Sequence, residues 1–103
     1  MNIDMTRIRR ETLRWRLLQI LNHAQDIGIY SESILCVTQT LYSDTNDKEI
    51  RRELDYLSGH GLIAIEKQPQ GRRHTKLTTV GIDFVEYTIN DKKGNSRPSK
   101  QGK

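Results

Sequence analysis

Apolar positions recur at helical spacing along the first part of the chain. Leu13, Leu17, Ile20, Leu21 and Ala24 fall on one face, and Ile8, Trp15 and Leu18 on a second. The spacing predicts a helix over residues 5–25 with two faces to cover. One face is expected against the domain core, the other against a C-terminal helix or a second subunit. Gly28 ends the region. Ser31 is placed to cap a second helix over roughly 32–42, with Glu32 favourable in its first turn. Its inner residues are Ile34, Leu35, Thr38 and Leu41, and Cys36 reads as a small apolar member of the same helix. The polar segment SDTND leads to a third helix from Asp47 to Ser58. Ile50, Leu54 and Leu57 form its buried stripe, and Asn46 and Glu49 have capping-box spacing. Gly59 or Gly61 supplies a left-handed end.

After that the period changes. Leu62–Gln68, rich in branched residues, predicts a strand. Pro69-Gln70-Gly71 suits a type I turn, and Arg73–Leu77 returns as the second strand of a hairpin. Thr78 is placed to cap a last helix over 79–90, with Ile82, Val85 and Ile89 inside. The remainder, DKKGNSRPSKQGK, has nothing apolar to bury and is expected to be disordered. The fold class is mainly α with a small β-hairpin, in the order helix-helix-helix-hairpin-helix. Two short helices on a tight polar turn, followed by a hairpin, make a winged helix-turn-helix. The domain is assigned to residues 1–90 and a basic tail to residues 91–103.

Composition narrows the class. The 103 residues suit one modest core. No apolar run approaches the roughly 20 residues that span a bilayer. With a single cysteine and no signal-peptide core in MNIDMTRIRRETLRW, a cytoplasmic protein is expected. Charge is unevenly placed. The tail carries Lys92, Lys93, Arg97, Lys100 and Lys103 against Asp91. Of 17 basic and 13 acidic residues in all, residues 1–90 therefore hold 12 of each. The domain is neutral, so any case for nucleic acid rests on local clusters.

Two clusters carry that case. With Ile50, Leu54 and Leu57 inward, the opposite side of the third helix presents Lys48, Arg52 and Asp55, flanked by Arg51 and Tyr56. Arg52 is the first choice for base readout, since arginine grips guanine O6 and N7 with two bonds. Lys48 and Arg51 suit base or phosphate contacts, and Asp55 suits cytosine N4. Thr45 and Asn46 precede the helix as polar phosphate ligands. The same helix also reads as a solvated surface laced with ion pairs, because Glu49, Glu53 and Asp55 share it. The hairpin places Arg72 and Arg73 just after its turn, with His74 and Lys76 next. Arg7, Arg9, Arg10, Arg14 and Arg16 on the first helix read as a solvated, phosphate-facing or acid-facing patch.

No catalytic set is present. His23, His60 and His74 lack partners at zinc-site spacing, and one cysteine makes no cluster. GxSxG, P-loop and HExxH patterns are missing. No enzyme activity, no metal, no cofactor and no small-molecule substrate are expected.

Residues Ile50–Val85 resemble bacterial winged-helix regulators of the PadR and MarR groups. There a recognition helix ends in L-x-x-L-x-x-x-G-L-I, a hairpin follows, and L-T-x-x-G opens the next helix. The matching positions are Leu54, Leu57, Gly61, Leu62 and Ile63, then Leu77, Thr78 and Gly81. The phrase LDYLSGHGLI is also similar to small winged-helix proteins of Mu-like phages and prophages. The resemblance covers about a third of the chain and consists mostly of packing and capping residues. It implies double-stranded DNA as partner and transcription regulation as function. A homodimer through the first or last helix, using Trp15 and Leu18, goes with that reading. The alternative is a protein-interaction module on the same fold that presents the first helix and does not bind DNA.

Overall fold

The computed structural model describes residues 3–92. The elements are α1 (Met5–Asn22), β1 (Ile29–Tyr30), α2 (Ser31–Thr38), α3 (Asp47–Gly59), β2 (Ile63–Lys67), β3 (Arg73–Leu77) and α4 (Thr79–Lys92). The basic tail from residue 93 onward lies outside the described residues. Asp91 and Lys92 continue α4, past the expected end of that helix.

The expected apolar stripes meet in one core. Leu17, Leu18 and Leu21 of α1 pack with Ile34 of α2 and with Ile50, Leu54 and Leu57 of α3. Ile63, Leu77 and Val85 close it from the hairpin and α4. The second face of α1 is divided. Leu18 is buried and Trp15 half-buried against the core, whereas Ile8 is exposed. α4 lies against α1 within the same chain.

Several ends differ from the sequence expectation. α1 stops at Asn22, and turns carry the chain to Gly28, whose N–H reaches the Ala24 carbonyl at 2.8 Å. Ile29–Tyr30 forms a short strand that no local pattern announces. It pairs antiparallel with β3, so the hairpin becomes a three-stranded sheet ordered β1-β3-β2. Because that strand pulls the chain in, Ser31 is the first helical residue rather than a cap. It is buried, and its hydroxyl donates to the Arg73 carbonyl. α2 ends early, at Thr38. The hydroxyls of Thr38 and Thr40 bond back to the carbonyls of Leu35 and Val37, which favours a tighter turn over continued helix. Leu41 therefore sits outside the core, and Cys36 is exposed rather than buried.

Other signals hold. The Asn46 side chain accepts the Glu49 N–H at 2.9 Å and caps α3. Of the two glycines, Gly61 takes the left-handed conformation, at φ 75°. Gly61 N–H bonds the Ser58 carbonyl and Leu62 N–H the Leu57 carbonyl, a Schellman ending. The Thr78 hydroxyl accepts the Gly81 N–H at 3.0 Å and opens α4. The hairpin turn is not type I. Gln70 has φ 73° and ψ 11°, and Gly71 follows at φ 81°. Two successive left-handed residues return the chain tightly enough for Gln68 N–H to reach the Arg72 carbonyl at 2.7 Å.

Candidate nucleic-acid interface

The inward stripe of α3 fixes what its other side shows. Ile50, Leu54 and Leu57 are buried, and Lys48, Arg51, Arg52 and Asp55 are exposed. The wing reaches the same region. Arg51 and Asp47 of α3 border a cleft of about 160 Å³ together with Ser31, Glu32, Arg72 and Arg73. The third helix and the arginine-bearing hairpin thus share one concave surface.

The cations there are already engaged. Arg51 Nε lies 2.7 Å from Asp47, and Arg52 Nε lies 3.1 Å from Glu53. Arg72 Nε lies 3.2 Å from Glu32 and its guanidinium stacks 3.8 Å over the Tyr30 ring. Arg73 is mostly buried and meets Asp55 at 3.4 Å, tying the wing to α3. Lys48 alone among these cations has no ion pair among the described residues. The carboxyl of Glu32 is held below its usual range, first by its own backbone N–H and then by Arg72, against partial desolvation.

Three expected residues are placed differently from the cleft arginines. Thr45 is buried, and its hydroxyl donates to the Tyr42 carbonyl at 2.7 Å, so it offers nothing to a phosphate. Asn46 is exposed, but its carbonyl oxygen serves the α3 cap. Lys76 is exposed but does not border the cleft. It alternates with the buried Thr75 and Leu77, so it points to the opposite face of β3.

Glu53 is the residue that sequence reasoning missed. It is fully buried, 2.7 Å from Arg14, 3.1 Å from Arg52 and 3.9 Å from Arg10. A signal existed, because Glu53 sits three residues after Ile50 and four before Leu57, on the buried stripe itself. Of the α1 arginines, Arg9, Arg10 and Arg14 are accordingly acid-facing. Arg9 pairs with Glu49 at 2.8 Å and Asp44 at 3.0 Å, and stacks over Tyr42. Those two hydrogen bonds raise the Arg9 pKa above its usual value, and the one to Arg9 lowers that of Asp44. Arg14 also stacks 3.5 Å from the Tyr56 ring centroid. These contacts lock α1 to α3 and leave the outward face of α3 clear.

Known structures share this fold. A PadR-like transcription factor from Bacteroides fragilis superposes with a TM-score of 0.71 at 19% identity, over 87% of this chain and 88% of that one. The fold is a winged helix-turn-helix. A candidate DNA-binding protein from Ralstonia eutropha matches at TM-score 0.66 and 21% identity, over 85% of this chain and 99% of its own. MepR of Staphylococcus aureus, in complex with DNA, matches at 0.65 and 24%, over 80% of this chain. This winged helix spans 65% of that MepR chain. No protein-family model and no curated protein matches the sequence. In the winged helix-turn-helix, α3 stands in the recognition-helix position and the β2–β3 hairpin is the wing. Among the described residues, no helix is long and apolar enough to cross a membrane, and no cluster of His, Cys, Asp or Glu side chains is placed to hold a metal.

Proposed function

We propose that this chain is a DNA-binding transcription regulator that lays α3 in the major groove and the wing on the flanking backbone. One observation carries the reading. Arg51 of α3 and Arg72 and Arg73 of the wing border a single cleft, next to the exposed Lys48 and Arg52. A groove-sized helix with an adjacent basic loop matches duplex geometry. The likeness to MepR, whose structure holds DNA, supports the same reading. Arg52 is assigned to base readout, Lys48 and Arg51 to base or phosphate, and Arg72 to phosphate. Asp55 stays in the set as an acceptor for cytosine. The protein acts as a homodimer. Val80, Phe84 and Tyr87 recur along one side of α4 and are exposed, beside the groove lined by Trp15, Leu18 and Phe84. Two-fold pairing sets half-sites about one helical turn apart. The similarity to Mu-like phage proteins points to a mobile-element regulator, which phage genes beside its own gene would corroborate.

The test is fluorescence anisotropy with labelled duplex across salt concentrations. Wild type is expected to bind at micromolar concentration or better at low salt. Arg72→Ala is expected to weaken duplex binding. Arg52→Ala is expected to relax preference at one base pair, at about 1–3 kcal/mol. No duplex binding by wild type at low salt overturns the proposal and leaves a protein-interaction role for the same fold.

A further inference from the structure

The two exposed ion pairs on the cleft have no strong structural purpose. Exposed pairs contribute about 0–1 kcal/mol to stability. Here Arg51–Asp47 and Arg72–Glu32 are each about half exposed on both partners. Their consequence is electrostatic. Asp47 occupies the first turn of α3, where backbone N–H groups and the helix dipole favour an anion. Glu32 stands in the equivalent place on α2. Asp55 projects from the middle of α3 toward the wing and holds Arg73. A carboxylate therefore sits beside each of three arginines on a surface otherwise suited to phosphate. The whole domain is close to charge balance, so no general positive field offsets them.

We propose that Glu32, Asp47 and Asp55 are selectivity residues. They act as internal phosphate substitutes that hold Arg72, Arg51 and Arg73 and suppress sequence-independent binding. This rests on the DNA-binding reading above. A phosphate must displace each carboxylate, and the displaced acid then faces the DNA backbone uncompensated. The exchange gains little, because one anion replaces another. Only a duplex that adds base contacts, through Arg52 and Lys48, offsets that repulsion. Selectivity then comes from weakening the common term rather than from strengthening the specific one.

The experiment uses the full chain, a mixed-sequence 20-base-pair duplex as probe, and anisotropy from low to moderate salt. The test variant is Glu32→Gln, Asp47→Asn, Asp55→Asn. The control variant, Asp26→Asn, Asp83→Asn, Glu86→Gln, changes net charge equally at exposed acids on the α1–β1 connection and α4. The test variant is expected to bind the mixed duplex at least about tenfold more tightly than wild type. Its salt slope is expected to be steeper by about 2–3, one per freed arginine. The control is expected to change affinity less than about threefold. The single variant Glu32→Gln, which leaves α3 untouched, is expected to gain about threefold and gives a readout should the triple variant not fold. Equal gains in test and control variants, or no gain in the test and single variants while wild type binds, overturn the selectivity role alone. No binding by wild type or any variant overturns the DNA-binding reading with it.

Discussion

Arg14 of α1 donates to Glu53 of α3 at 2.7 Å, and that carboxylate has no exposure to solvent. A buried charge is costly unless paired. Glu53 is therefore a clamp between α1 and α3, and it also holds Arg52 at its outer edge. Arg14→Met retains the hydrocarbon stem and removes the charge. It is expected to cost about 3 kcal/mol, the low end for breaking a buried pair, because Arg10 and Arg52 remain nearby. Urea denaturation with the midpoint and slope measured together checks this. A loss below about 1 kcal/mol would show that the remaining two arginines satisfy Glu53 alone.

Two glycines with opposite surroundings give a paired prediction. At Gly81, a Cβ would run into the backbone carbonyl of Leu62, so α4 is seated on the β2 entry by the missing side chain. Gly81→Ala is expected to destabilise by about 3 kcal/mol, the upper end for overpacking, since backbone must move. At Gly59, inside the last turn of α3, an added methyl group would meet nothing within 4 Å. Gly59→Ala is expected to stabilise by about 0.5–1 kcal/mol by restricting the unfolded chain. Thermal melts of both variants against wild type read the two signs directly.

These cases also mark how far the sequence alone leads. The apolar residues Leu13–Leu21 of α1 and Ile50–Leu57 of α3 recur at helical spacing, so these stripes announce themselves. Gly61 and Thr78 are local signals with local partners, and they mark ends well. β1 is different. Two residues carry no period, and Ile29 and Tyr30 become a strand only because β3 lies alongside. Ser31 loses its capping role for the same long-range reason. The outward set Lys48, Arg51 and Arg52 follows from helical geometry once the stripe is known. The carboxylate partners of the wing arginines do not, because Arg72–Glu32 and Arg73–Asp55 join segments far apart in sequence. Thr45 reads as a surface ligand because it sits in a polar run, yet the turn after α2 folds it inward.

The Arg9 cluster makes stability depend on pH. Asp44 has its pKa lowered on folding, chiefly by the hydrogen bond to Arg9. Glu32 is lowered as well, by its own backbone N–H and by Arg72. A carboxyl with a depressed folded pKa stabilises above its unfolded value and loses that contribution as pH falls through the folded value. The loss is expected below about pH 4, near the ordinary carboxylate range. Both groups are well exposed, so the effect is small and salt-sensitive. Melting temperatures of wild type and Asp44→Asn are expected to converge as pH drops from about 6 toward about 3. A gap that stays constant over that range would remove Asp44 from the acid response.

The wing turn holds stored strain that a single change relieves. Gln70 lies at φ 73°, a left-handed conformation in which a Cβ costs roughly 1 kcal/mol. Its neighbour Gly71 shares that conformation without the penalty. Gln70→Gly removes the Cβ clash but frees the unfolded chain, so the net gain is expected to be only about 0.5 kcal/mol. Gln70→Asn keeps a side chain that tolerates this region and is expected to gain a similar amount. Gln70→Val, branched at Cβ, is expected to lose about 1 kcal/mol or more. Chemical denaturation of the three variants ranks them. If Val equals Gln in stability, the turn relaxes to another conformation in solution, and Arg72 is then no longer held where Glu32 and Tyr30 now meet it.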